Sequence, residues 1–277
     1  MQLPPGTKPN WWTSVLLFGF HIFDLIAYEV LYGFSPVRNQ LFFNGGYLPL
    51  VDDFLENALW ENEKPNAMMY HLVCKPIESQ LAPAPKKFLV VGCGQGGGMI
   101  YMAHFFSDAE FIGTERARAA VKLVNRRSSD FPNISARVAT GDRLDFDDEE
   151  FDALVSVGAP TYFGLTRFVE EAMRVCKPGA TISFSGGYRE GTHDIIESEL
   201  SAACNGKGHL VSYANITPNT FASLKADLPR REKILKNVPW PFRIYGEKWA
   251  DMPGSAEYNE YDKGLRADFF AVIKKSA

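Results

Sequence analysis

The run Phe88-Leu-Val-Val-Gly92-Cys-Gly94-Gln-Gly96-Gly-Gly98 constrains this chain more than any other stretch. It reads as a short apolar strand, a glycine loop and the first turn of a helix. Gly92, Gly94 and Gly96 give the GxGxG spacing, in which small residues let the chain turn tightly and let a ligand lie against the backbone. Taken alone, the spacing suits nicotinamide and flavin cofactors as well, or an incidental turn.

From Lys87 onward, short apolar strands alternate with helices. Strand-like runs cover 88–92, 110–115, 135–140, 151–157 and 180–186, with helical stretches at 97–106, 116–128 and 165–176 between them. Such alternation predicts a parallel sheet with right-handed crossovers. Segments 241–249 and 264–275 read as a closing pair of strands, one of them antiparallel. The fold class is therefore α/β, a Rossmann-like doubly wound, mostly parallel seven-stranded sheet. Ahead of it, 1–10 reads as extended, 11–33 as a helix, and 48–60 and 65–80 as two further helices. The division is a helical, aromatic-rich extension over 1–64 and a main domain over 65–277.

With 277 residues there is material for one domain of about 200 residues plus an extension. The chain is 46% hydrophobic and carries a net charge of −4 without a Lys/Arg-rich run, which argues against a nucleic-acid partner. Cys74, Cys93, Cys176 and Cys204 show no CxxC spacing and read as reduced thiols, not as a disulfide frame or a zinc site. The apolar stretch 11–34 is interrupted by His21, Asp24 and Glu29, so a transmembrane helix is not expected, while contact with a membrane surface stays open. Without a secretory leader pattern, the expected location is cytoplasmic.

Two acids sharpen the glycine loop. Glu115 ends the second strand, 23 positions after Gly92, where a carboxylate can accept both hydroxyls of a ribose; a helix N-terminal acid is the plainer alternative. Asp142 follows Gly141 at the end of the third strand, where it can accept a hydrogen bond from an adenine amino group, or simply serve a turn.

With these in place, VVGCGQGGG, FIGTE, ATGDRLDFDDEEFDALVSV and RVCKPGATISFSGG resemble the successive motifs of class I S-adenosylmethionine-dependent methyltransferases. The resemblance is to the small-molecule branch of ubiquinone/menaquinone, tocopherol, phthiotriol-lipid and sugar O-methyltransferase types, and it covers residues 65 to about 190. It implies that Gly92, Gly94 and Gly96 cradle the methionine part of S-adenosylmethionine, with Gln95 at an often polar position. It further implies that Glu115, with Arg116 beside it, binds ribose, that Asp142 and the Arg143 backbone meet adenine, and that Val157 begins the loop beneath the sulfonium. LFFNGGYLP resembles the branch's lid segment, in which Tyr47 would cover the cofactor.

The loop after the fourth strand departs from that branch. Gly158 stands where an acid is common and Tyr162 where a catalytic His is common. Either the acceptor is acidic enough to need little help, or another residue is the base, or the protein binds the cofactor without methylating, as a cyclase does. His193 is the leading candidate base, with Tyr162 and Tyr188 also able to reach an acceptor; each has a structural alternative as cap, surface or pocket wall. His21 and His104 read as structural, and no ligand cluster suggests a metal. The aromatic side chains crowding the extension suggest a lid over a hydrophobic small molecule, or a face packed on the sheet edge or on a homodimer partner. The expectation is methyl transfer to an oxygen, carbon or sulfur of such a molecule, with a non-methylating cyclase as the alternative.

Overall fold

Period-two alternation sorts the apolar side chains of the central strands onto two faces, and both faces are covered. On β1 (Lys87–Val91), Phe88 and Val90 join one core while Leu89 and Val91 join the other, and all four are buried. The structure, a computed structural model, describes residues 25–33, 36–80, 84–127, 129–189, 192–240 and 242–277. The extended start and the first part of the 11–33 helix lie outside the described residues; 25–33 is helical and is labelled α1.

The remaining strands are β2 (Glu110–Glu115), β3 (Ile134–Val138), β4 (Phe151–Val157), β5 (Cys176–Tyr188), β6 (Gly208–Asn215) and β7 (Ala267–Lys275). They form a seven-stranded sheet in the order β3-β2-β1-β4-β5-β7-β6. The first five strands are parallel, and β7 runs antiparallel to β5 and β6. One core packs α2 (Lys64–Gln80) and α3 (Gly97–Phe105) onto the sheet through residues such as Met68, Ile77 and Met102. The other packs α6 (Leu165–Val175) and α7 (His193–Ala203) through Phe168, Val169, Ile196 and Leu200. The strand order reverses between β1 and β4, and this switch point opens a crevice beyond the carboxyl ends of those strands.

Two expected elements differ. Residues 48–60 do not form a helix, although Val51, Phe54, Leu55 and Leu59 have helical spacing. Asn57 Oδ1 takes the amide of Leu59 at 2.9 Å and starts a 3₁₀ turn, Ala58–Glu63, that buries Trp60 against Tyr101. Residues 242–249 of the segment expected as a strand form α10 (Phe242–Trp249) instead, held by the Arg243–Glu247 pair one turn apart at 2.9 Å. The strand that pairs with β7 is β6, whose sequence GHLVSYAN gives a weak signal because an edge strand buries only part of each face. All four cysteines are free and buried.

Phe88 stacks on Phe111 and meets the tilted ring of Phe106 in the first core. Phe88→Ala is expected to destabilise the protein by about 3–5 kcal/mol, read as a lower urea midpoint at unchanged slope.

Candidate active site

The glycine loop is pinned before it turns. The amides of Gly92 and Cys93 both donate to the carbonyl of Thr114 on β2, at 2.8 and 2.9 Å. Gly92 then takes φ +69°, and a Cβ there would stand 2.4 Å from that of Ala159 in the loop after β4. Gly94 follows at φ +52°, and a Cβ there would meet nothing closer than the Tyr32 hydroxyl at 3.8 Å. One glycine is thus packed and the next is bare toward the crevice, as a ligand lying on the backbone requires.

Glu115 closes β2 beside this loop. Its carboxylate accepts the Gly94 amide at 3.2 Å and the Ala117 amide at 3.1 Å. Burial raises its pKa, partly offset by these two amides and by Arg116. Each oxygen keeps a lone pair for a further donor.

Over the crevice lies a wall of aromatic rings from both ends of the chain. Tyr28 of α1 stacks on Trp249 of α10 with centroids 4.5 Å apart, and Tyr32 lies edge-on to Phe43 at 5.8 Å. The Arg116 guanidinium sits 4.9 Å above the Tyr28 ring. Burial holds the phenols of Tyr28 and Tyr32 well above their ordinary pKa, so neither serves as a base near neutrality.

This wall is latched to the sheet domain by polar contacts. Glu29 of α1 accepts the amides of Arg118 and Ala119 at 2.6 and 2.9 Å, capping the first turn of α4 (Arg118–Arg127) from another part of the chain. Gln95 Nε2 donates to the carbonyl of Val37 at 3.0 Å, and Arg127 bridges the carbonyls of Gln95, Arg38 and Gln40. Glu63 accepts the amides of Leu41 and Phe42. The cavity beneath the wall measures about 820 Å³, is open to solvent on one side, and runs from the glycine loop and Glu115, past Asp142 and Gly158, to Trp249.

Residues 88–179 match the family described as methyltransferase domain. The chain is 31% identical over 138 residues to the phthiotriol/phenolphthiotriol dimycocerosates methyltransferase 1 of Mycobacterium ulcerans, covering 48% of this chain and 49% of that protein, so the match spans about half of that relative's length. In structure it resembles the geranyl diphosphate C-methyltransferase of Streptomyces coelicolor, with a TM-score of 0.60 at 15% identity over 84% of this chain and 91% of that one. It also resembles the [4+2]-cyclase SpnF, with a TM-score of 0.64 at 14% identity over 93% of this chain and 94% of that one. Residues 88–179 thus carry the pattern of a methyltransferase domain, on a sheet that has the fold of these two solved structures.

The residues present fit S-adenosylmethionine. Bare Gly94 and the spare acceptor capacity of Glu115 face one cavity, and Arg116, Asp142 and Val157 line it with them. Other expected cofactor residues lie elsewhere in this methyltransferase domain. Gly96 stands at the turn into α3, where a Cβ would press on Val124. The Gln95 side chain is buried against the lid connection and does not line the cavity. The Arg143 amide is engaged by the carbonyl of Thr140 at 3.3 Å, closing a small turn of its own. Tyr47 packs against the α2 core, its amide bonded to the carbonyl of Pro65, while Asn44 and Gly45 of the same segment line the cavity.

Among the expected catalytic residues, only Tyr162 lines the cavity. Tyr188 points from β5 into the core with α6 and α7, where burial raises its pKa. His193 Nδ1 lies 2.7 Å from the Tyr213 hydroxyl, burial lowers its pKa, and it does not line the crevice. Among the described residues, no group of three or more His, Cys, Asp or Glu could hold a metal ion, and no helix is long and apolar enough to cross a membrane. The sequence reading missed Trp249 and Asp251, whose positions at the cavity depend on contacts between distant segments.

Removing the Glu29 cap is expected to loosen the lid first. In Glu29→Ala, amide exchange of Arg118 and Ala119 should accelerate roughly 2- to 30-fold, the equivalent of about 0.5–2 kcal/mol for a lost cap. Unchanged exchange would show that the clasp does not hold in solution.

Proposed function

We propose that this protein methylates an oxygen, carbon or sulfur atom of a hydrophobic small molecule of lipid or natural-product type. The observation that carries this reading is a single cavity with a polar end at Gly94, Glu115 and Asp142 and an aromatic wall of Tyr28, Tyr32, Phe43 and Trp249. The Mycobacterium relative named for phthiotriol dimycocerosates and the Streptomyces neighbour named for geranyl diphosphate support that acceptor type. The division into a lid over 1–64 and a methyltransferase domain over 65–277, the cytoplasmic location and a homodimer belong to the same proposal.

When bound, the cofactor supplies a methyl group already activated by the positive charge on its sulfur. The protein's own work is then placement. Glu115 holds a ribose through its two oxygens, Asp142 accepts from an adenine amino group, and Gly92 to Gly94 let the ligand lie against the backbone. The aromatic wall orients an apolar acceptor and keeps water out, and both effects lower the barrier through proximity and a drier site. A second reading, a cyclase that binds the cofactor without transferring its methyl group, is favoured by Gly158 and Tyr162 standing where the resembling branch carries an acid and a His.

Incubation with methyl-tritiated S-adenosylmethionine and a panel of alkylphenols, fatty acids and terpenoid alcohols, followed by organic extraction, separates the two. Label in the extract is expected. Tight cofactor binding without label on any acceptor would favour the cyclase.

Glu115→Ala should weaken S-adenosylhomocysteine binding in calorimetry by about 1.5–3 kcal/mol, roughly 10- to 150-fold. The wild-type protein should also lose affinity on acidification at a higher pH than an ordinary glutamate would dictate. Burial raises the Glu115 pKa, and ribose hydroxyls donate to the ionised form, so affinity falls as pH drops through that raised value.

A further inference from the structure

Past Gly158 and Tyr162 the cavity opens sideways into a compartment of about 180 Å³ between the ends of β4 and β5, the helix α11 (Ala256–Asp262) and the start of β7. Unlike the aromatic wall, this compartment is lined by charged side chains, and most of them are spoken for. Arg266 Nε donates to Asp268 Oδ1 at 2.9 Å, and the Tyr261 hydroxyl donates to Asp268 Oδ2 at 2.6 Å. Arg189 is held by Glu260 at 2.6 Å and by Glu257 at 3.6 Å.

Asp251 is the exception. It lines both the main cavity and the side compartment, and among the described residues its carboxylate has neither a hydrogen bond nor an ion pair. Its backbone takes φ +44° at the C-terminal cap of α10, where the Asp251 amide donates to the carbonyl of Lys248 at 3.2 Å and the Met252 amide to that of Glu247 at 3.0 Å. Arg231, from the helix α9 (Leu228–Lys236), holds it there by donating to the carbonyls of Ala250 and Asp251. A helix cap fixed by the buried Arg231 guanidinium thus places an unpartnered carboxylate at the boundary of the two compartments.

We propose that Asp251 is the general base of the methyl transfer, taking the proton of an acceptor O–H whose reacting end lies in the side compartment while its apolar body lies along the aromatic wall. This rests on the methyltransferase reading above and supplies the base that Gly158 and Tyr162 do not. The O–H bond breaks and its proton moves to a carboxylate oxygen of Asp251. The freed oxygen pair forms the new C–O bond as the bond from the methyl carbon to sulfur breaks, with its electrons left on a neutral sulfur. The proton leaves Asp251 to water once product has gone.

The surroundings suit the task. Burial pushes the Asp251 carboxyl up to about 7, with Arg266 and Arg231 opposing the rise and Asp268 and Glu257 adding to it. Tyr28 and Tyr162 line both compartments with it, Lys248, Arg189 and Tyr261 line the side one, and Glu115 and Asp142 are further carboxylates of the main cavity. A base of that strength is half ionised near neutrality, where proton transfer is most effective. Phenols and other acidic hydroxyls are the acceptor class it matches.

Asp251→Asn tests this without disturbing the turn, because asparagine accepts the left-handed conformation well. With aspartate ¹³C-labelled at the carboxyl and S-adenosylhomocysteine bound, one resonance should titrate near pH 7 in the wild-type protein and be missing from the variant. Adding 4-octylphenol should move that midpoint by at least about half a unit. Affinity for S-adenosylhomocysteine should stay within about threefold of wild type. On any acceptor the radiolabel screen returns, kcat should fall by about 10²–10⁴-fold with KM little changed, and the acidic limb of the pH profile should vanish. The proposal is overturned if the carboxyl stays ionised down to pH 5, if the phenol leaves its midpoint unmoved, or if the variant retains kcat. A tenfold loss of S-adenosylhomocysteine affinity would overturn it too, by making Asp251 a cofactor ligand. Failure of the wild-type protein to bind S-adenosylhomocysteine would instead strike the methyltransferase reading.

Discussion

The two amides that converge on the carbonyl of Thr114 set the rest of the site in place. They stop β1 from running on and force the chain to turn at Gly92 against Ala159, which presents Gly94 to the crevice and brings its amide to Glu115. None of this survives a shift of register between β1 and β2. That register is fixed by apolar residues that must alternate between two covered faces, since a slip of one residue would drive every core side chain to the wrong side. Cofactor geometry and core packing are therefore one constraint.

Against this rigid floor stands a lid built by contacts between chain ends. Tyr28 and Trp249 come from opposite ends of the described chain and meet face to face. The polar latches that hold α1 and the following 3₁₀ turn are backbone carbonyls and amides met by Gln95, Arg127, Glu29 and Glu63. The same segment is also packed, with Leu31 and Val37 in one apolar cluster with Leu235 and Val238 and Tyr32 in another with Ala117 and Ala120.

What could be read from the sequence divides along the same line. The β1 strand, its glycine loop and the acid at Glu115 are local patterns, each legible within a few residues of itself, and the structure gathers them at one crevice. Elements whose state depends on what lies beside them were harder. The stretch that forms α10 has the aromatic and apolar composition of a strand, but the place beside β7 is held by β6. β6 in turn is only half buried and shows little alternation. Tyr47 follows the expected Asn and glycines of a lid segment, yet its amide is drawn to Pro65 and its ring to the core, and Tyr28 takes the place over the cavity. Asp251 was invisible, since nothing in its local sequence distinguishes it from a solvated turn residue; its isolation depends on Arg266 being engaged by Asp268.

The clasp at Glu29 bears on which adenosine compounds the site admits. The opening amides of α4 lie directly after Glu115, where a helix start would ordinarily welcome a phosphate carried on the neighbouring sugar. Here those amides are already taken by one carboxylate, with a second carboxylate alongside. An anion at that position would meet two carboxylates with Arg116 beside them, so the Glu29 contact that ties α1 to α4 also leaves the Arg118 and Ala119 amides closed to a phosphate.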